Sequence, residues 1–199
     1  MAALRANNNR LKKIDVSKSI ELNTLELKGN KITDLDLTNN TYLSSIILGN
    51  QSIATINNLP ISDTSFSIFP YLIDLDISNL PFHSLDLSKN PKLKNLDISG
   101  TDISQLDISY SKIESLKASY SQLTNLYYHP NSIINLCDLR IERTPFEKEP
   151  LNIRNLNAAL PDRSKPNQYG DTIQGVLYTH TQLIDTLKDL LNKNWVINP

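Results

Sequence analysis

Three histidines and one cysteine are the residues of this 199-residue chain best suited to metal or nucleophile chemistry. Their spacing argues against both. His83, His129 and His180 are scattered, and no pair has helical or Cys-x-x-Cys-like metal spacing. Cys137 follows His129 by eight residues. A Cys–His dyad needs spatial convergence that this spacing does not supply, so Cys137 reads as a small, partly buried apolar residue. Only five glycines are present, and none forms a phosphate-cradling loop. The acidic and basic residues of "LPDR" (160–163) are explained by a turn after a helix.

Aspartates at the centre of short apolar phrases are the next candidates. Asp86 and Asp107 are expected to be neighbours on one face, and Asp76 and Asp97 on another. Calcium would need six or more oxygens, and the adjacent Ser88, Ser99 and Ser109 supply few. These carboxylates therefore read as solvated groups that keep an outer face soluble, and no metal or cofactor is expected. Binding chemistry is more promising. Tyr127 and His129 are expected beside Asp107 and Ser109, with Tyr110 at the adjoining turn and Asp86 one coil further. Exposed tyrosines beside acids suit protein or glycan recognition, because tyrosine brings large contact area at low entropy cost. The competing reading is that Tyr110 and Tyr127 merely shield the end of a sheet.

What positions these residues is a repeat. The stretch "LDLSKNPKLKNLDISGTDISQLDIS" (85–109) states one phrase three times, Leu-x-x-Leu-Asp-Leu/Ile-Ser. Its alternating apolar residues read as a short strand with one buried face. Such phrases start at Ile14, Leu25, Leu35, Ile46, Ile56, Phe66, Leu75, Leu85, Leu96, Leu106, Leu116 and Leu126, mostly ten or eleven residues apart, and again at Leu136 or Leu139. Ten extended residues reach roughly 35 Å, too short for a closed coil with two facing strands and a packed interior. Two phrases suffice, so one coil of about 20–21 residues carries strands on two faces. Simple counting puts Leu25, Ile46, Phe66, Leu85, Leu106 and Leu126 in one row. It puts Ile14, Leu35, Ile56, Leu75, Leu96 and Leu116 in the other. A column of small polar residues, Asn30, Asn40, Asn90, Thr101, Ser111, Ser121, Asn131 and Thr144, is expected to bond backbone groups left unpaired at the turns. Pro60 and Pro70 mark an irregular coil near 57–71.

Residues 149–199 read differently. Ile153, Leu156 and Leu160 have helical spacing, with Pro150 near the start and Pro161 beyond the end. "GVLY" reads as a strand, and Leu183, Leu187, Leu190 and Leu191 as an amphipathic helix opened by Thr179 or Thr181. Trp195–Ile197 makes a closing strand. The division expected is a solenoid over 1–148 and a helix-strand-helix-strand cap over 149–199 that covers the open core and strand edge.

The nested pattern L-x-x-L-x-L-x-x-N-x-L-x-x-L-D-L-S-x-N over about residues 11–147 resembles the short, irregular leucine-rich repeats of bacterial surface proteins, the internalin-like and BspA-like groups. The tail, from "LPDR" to "KNW", is similar to the C-terminal segment of such proteins, with Asn194 where glycine is usual. The resemblance implies an α/β repeat fold: a leucine-rich-repeat parallel β solenoid with an α/β cap. It also implies a non-enzymatic module for adhesion or host interaction, placed outside a bacterial cell. Alternatives are a structural spacer, or an enzyme with its site in 149–199.

Composition is compatible. Lys plus Arg number 20 and Asp plus Glu 21, so no large field recruits nucleic acid. No run of eighteen apolar residues is present to span a membrane. The opening "MAALRANNNRLKK" lacks the apolar core of a signal peptide; with the export implied by the resemblance, a leader would have been removed.

Overall fold

A computed structural model describes residues 2–57, 59–60, 66–163, 174–179, 190 and 192–198. In chain order its strands are β1 (Ala2–Arg5), β2 (Leu22–Glu26), β3 (Asp34–Leu35), β4 (Ser45–Ile47), β5 (Thr55–Ile56), β6 (Leu59–Pro60) and β7 (Asp74–Asp76). Then follow β8 (Asn95–Asp97), β9 (Gln105–Asp107), β10 (Ser115–Lys117), β11 (Asn125–Tyr127), β12 (Asp138–Arg140), β13 (Gly175–Tyr178) and β14 (Trp195–Asn198). Helix α1 spans Pro150–Ala159.

Nine of these strands form one sheet in the order β1-β2-β4-β7-β8-β10-β12-β13-β14, with every neighbouring pair parallel. On the other side of the coil β3 pairs β5, and β9 pairs β11, again in parallel. The chain is thus a parallel solenoid with strands on two faces. Between register partners Leu75 and Leu96, or Leu96 and Leu116, it advances 21 and 20 residues. The phrase middles Leu25, Ile46, Leu75, Leu96, Leu116 and Leu139 are all at most 1% exposed and build one continuous core. Each strand can bury only one side of its pleat, so stacking successive coils is what completes the core.

Leu96 lies on the side opposite Leu106, as two phrases per coil require. The membership of the rows after Ile56 is corrected. Leu75, Leu96 and Leu116 stand with Leu25 and Ile46, and Leu106 and Leu126 lie opposite. The cause is a long coil: from Ile46 to its partner Leu75 the chain takes 29 residues and three phrase steps. Within it β5 turns back on β6 as a short antiparallel pair that places Pro60 at an edge. Phe66 is not a strand residue. It sits at a turn, its carbonyl accepting from Phe69 N as that of Val16 accepts from Ser19 N. Its ring meets Phe69 at 6.1 Å and, in the coil that follows, Phe82 at 5.9 Å, so three aromatic side chains fill the junction of these two coils. Ile14 and Leu85 also lie outside the described strands.

Two further corrections concern the ends of the repeat. β1 precedes the first phrase read from sequence, and its Leu4 pairs with Leu25. In the polar column Asn131 is exposed, and its neighbour Ser132 is buried, bonding the His129 carbonyl at 2.8 Å. The other members do bond the backbone. Asn40 Nδ2 donates to the carbonyls of Val16 and Ser19, and Asn90 Nδ2 to those of Phe66 and Phe69. Thr101, Ser121 and Thr144 donate to carbonyls three residues back.

A second column was not read from sequence. Three residues after each strand of the large sheet, from β1 to β12, stand Asn8, Gly29, Asn50, Asn79, Gly100, Tyr120 and Arg143, all with φ between 55° and 70°. The corner of every coil needs one left-handed residue, which asparagine and glycine supply at little cost. Gly49 answers a different demand. A Cβ there would lie 2.2 Å from Ser78 Oγ and 2.6 Å from Asp76 Oδ1. The gap lets Lys28 pass over this coil to Asp76, at 2.6 Å, a strap across the long coil.

In the C-terminal part, α1 buries Ile153 and Leu156, and β13 and β14 continue the large sheet. Trp195 is 2% exposed and donates its indole N–H to the Pro161 carbonyl. Asn194, where glycine is usual in the resembled proteins, adopts φ 60° and donates to the Arg163 carbonyl. Buried Glu147 accepts from Arg143 N and Thr179 Oγ, tying the last corner to the end of β13. Leu190 is helical and buried; Leu183, Leu187 and Leu191 lie outside the described residues.

Candidate functional site

The outward positions of the large sheet form two rows flanking the buried strand middles. One row holds Thr24, Ser45, Asp74, Asn95, Ser115 and Asp138; the other holds Glu26, Ile47, Asp76, Asp97, Lys117 and Arg140. A shallow depression runs across the middle coils, with Asp74, Asp76, Asp97, Asn95 and Lys117 in its lining. Its groups are held in place by neighbours. Asn95 Nδ2 donates to Asp74 Oδ1 at 2.6 Å, and Ser115 Oγ to Asp138 Oδ2 at 3.1 Å. Arg140 pairs with Asp138 and lies 4.4 Å from the centre of the Tyr178 ring. The bond to Asp138 raises the Arg140 pKa further above its ordinary value. The face is therefore polar and pre-ordered, acidic over the middle coils and basic at Lys117 and Arg140.

The residues singled out from sequence lie on the other side. Tyr127 and Asp107 are direct register partners. Tyr127 and Tyr110 are 51% and 56% exposed, so Tyr127 is not covered by α1. A groove between this strand and α1 is lined by Ser109, Leu126, Tyr127, Tyr128, Phe146, Asn152 and Asn155. Tyr128 turns toward the core, half-buried, and burial pushes its phenol up from its ordinary pKa. His129 is exposed and accepts from Asn131 N through Nδ1, capping a 3-10 turn at Pro130–Ser132. Asp86 is exposed in backbone outside the described strands.

The aspartate of the repeated phrase has a local duty that the sequence reading did not assign. The Oδ1 atoms of Asp15, Asp36, Asp76, Asp86, Asp97 and Asp107 each accept the backbone N–H two residues on, at 2.8–3.0 Å. The Asp-x-Ser spacing is the available signal, since this is the side-chain-to-backbone bond that shapes an Asx turn. For Asp86 the backbone bond from Ser88, then the one from its hydroxyl, lowers the carboxyl pKa. A folded-state pKa below the unfolded value of about 3.9 contributes stability at neutral pH. That contribution fades as pH falls below the unfolded value and through the folded one. Asp86→Asn is therefore expected to flatten the fall in melting temperature below about pH 4. Parallel wild-type and variant curves in thermal melts across that window would refute this role.

Cys137 is half-buried, donates to the Glu114 carbonyl at 3.4 Å, and burial pushes its thiol up. That is the reverse of an activated nucleophile. Among the described residues no group of three or more His, Cys, Asp or Glu could hold a metal ion. Among the same residues no helix is long and apolar enough to cross a membrane.

This geometry is that of a leucine-rich-repeat solenoid. No family model matches the chain, and no curated protein does. Solved structures do. The functional domain of InlJ from Listeria monocytogenes, which includes a cysteine ladder, superposes with a TM-score of 0.54 at 24% identity. The match covers 71% of this chain and 34% of that one, so the chain spans about a third of its length. An internalin, InlF, from a Listeria monocytogenes strain matches over 99% of this chain and 82% of its own, at 15% identity and a TM-score of 0.38. The first likeness supports the fold; with one cysteine, this chain has no ladder of its own.

Proposed function

We propose that the chain is a non-enzymatic recognition module that binds a protein on the outward side of its nine-stranded sheet, in bacterial surface adhesion or host interaction. The observation that carries this reading is the ordered polar field of that face, interrupted in its outward rows by Ile47. Its side chains are fixed by one another, so binding costs little side-chain entropy. Asp74 and Asp97 over the middle coils suit a basic partner surface, Asp76 being buried and already paired with Lys28, and such a contact weakens with salt. The cap reading of 149–199 belongs to the same proposal, with β13 and β14 adding strands and α1 covering the core beside them.

A second reading places a protein or glycan at Tyr110, Tyr127, His129, Asp107 and Asp86, favoured by the exposed Tyr127 beside Asp107 and the groove toward α1. Capture from extracellular-matrix and mucosal extracts separates the two. Wild type is compared with Asp74→Lys/Asp97→Lys and with Tyr110→Ser/Tyr127→Ser, each verified by melting. Loss of the captured protein with the first variant supports the sheet face; loss with the second moves the site to the opposite side. Capture unchanged by both would overturn the strand-face proposal.

A further inference from the structure

Apart from both strand faces, one patch gathers much of the exposed apolar surface of the N-terminal half. Ile20, Tyr42 and Tyr71 are 58%, 57% and 45% exposed. The two tyrosine rings are stacked, 6.1 Å apart and 8° from parallel, and Lys92 Nζ lies 4.8 Å from the centre of the Tyr71 ring. With Glu21, Asn23, Ser44 and Ile73 these residues line one groove.

The register of the sheet arranges them in a line. Thr24, Ser45, Asp74 and Asn95 are successive partners, and three residues before each stand Glu21, Tyr42, Tyr71 and Lys92. The row therefore reads acid, tyrosine, tyrosine, base along the solenoid axis, and Lys112 continues it. Glu21 and Lys92 are both exposed, and Lys92 faces an aromatic ring rather than a carboxylate. The nearby Lys94 is already paired with Glu114 at 2.8 Å.

Such a row is complementary to itself when reversed. A two-fold axis between Tyr42 and Tyr71 sets Glu21 of one copy against Lys92 of the other and brings the tyrosines together at the centre. In an isologous interface the same patch serves both partners, and central aromatics with flanking charges are its usual anatomy. We infer that this patch, Glu21–Tyr42–Tyr71–Lys92, is a self-association surface that pairs two copies of the chain antiparallel.

Sedimentation equilibrium of the chain from micromolar to millimolar concentration tests this. The expected result is a monomer–dimer equilibrium. Tyr42→Ser/Tyr71→Ser is expected to weaken it about tenfold or more. Glu21→Lys alone and Lys92→Glu alone are each expected to weaken it, and the double exchange to restore it. The restoration is decisive because these exposed single changes leave the fold intact, as melting curves will verify. A wild type that stays monomeric throughout overturns the inference. So does a dimer indifferent to Glu21→Lys, or a double exchange that fails to recover association.

Discussion

Phe66→Ala is expected to destabilise the protein by about 3–5 kcal/mol, the range for deleting a buried aromatic side chain from a core that cannot collapse around the loss. Phe66 has no exposed surface and touches Phe69 in the long coil and Phe82 of the coil that follows. A regular coil has mostly leucine and isoleucine at its core positions, and the coils above and below hold it to one cross-section. The long coil is fixed by the same neighbours through Ile46–Leu75 on one side and the Lys28–Asp76 strap beside it. The surrounding backbone therefore has little freedom to close the void. Urea unfolding monitored by circular dichroism measures the cost. A change below 1 kcal/mol would mean that the aromatic cluster does not support the coil.

Asn90→Leu is expected to cost about 1–3 kcal/mol although it exchanges a polar residue for an apolar one of the same branching, with two bulkier methyl groups in a closed site. Asn90 is fully buried, and its amide donates to the carbonyls of Phe66 and Phe69 at 3.0 Å each. Leucine removes both donors, so each carbonyl keeps only its backbone partner, Phe69 N or Leu72 N, and loses a second hydrogen bond worth about 0.5–1.5 kcal/mol. Transfer of the added apolar surface offsets part of this. The same unfolding experiment measures it, and an unchanged or raised midpoint would show that the asparagine column is dispensable.

These two residues also mark the limits of reading the chain from sequence. Asn90 was legible, because a polar residue recurring at one phase of an apolar repeat has to serve the backbone. Phe66 was misplaced, because counting phrases assumes two per coil, and the coil from Ile46 to Leu75 holds three steps. One extra step exchanges the two sides for everything that follows, so the local pattern was right while the partners were wrong. β1 was missed because Leu4 and Ala6 carry too little apolar surface to announce a phrase. At the candidate sites, Tyr127 beside Asp107 was legible from strand alternation at regular spacing. The Tyr42–Tyr71 stack was not, since the 29-residue coil between its members breaks the 20–21-residue spacing from which neighbours were counted. The duty of the aspartates was hidden for a different reason: a charge on a strand reads as solvation until the turn it closes is seen.

The asparagine column gives the solenoid a direction. Asn30 reaches back to the Ala6 carbonyl, Asn40 to Val16 and Ser19, and Asn90 to Phe66 and Phe69. At these coils the successor brings side-chain donors to its predecessor's carbonyls, whereas Thr101, Ser121 and Thr144 bond within their own coil. A chain synthesised from its N-terminus leaves its newest coil open until the next one emerges, and growth stops safely only at a unit that makes no such demand. Where asparagine makes this bond, neighbouring coils meet as plug and socket, so a coil there is added or removed only as a whole unit.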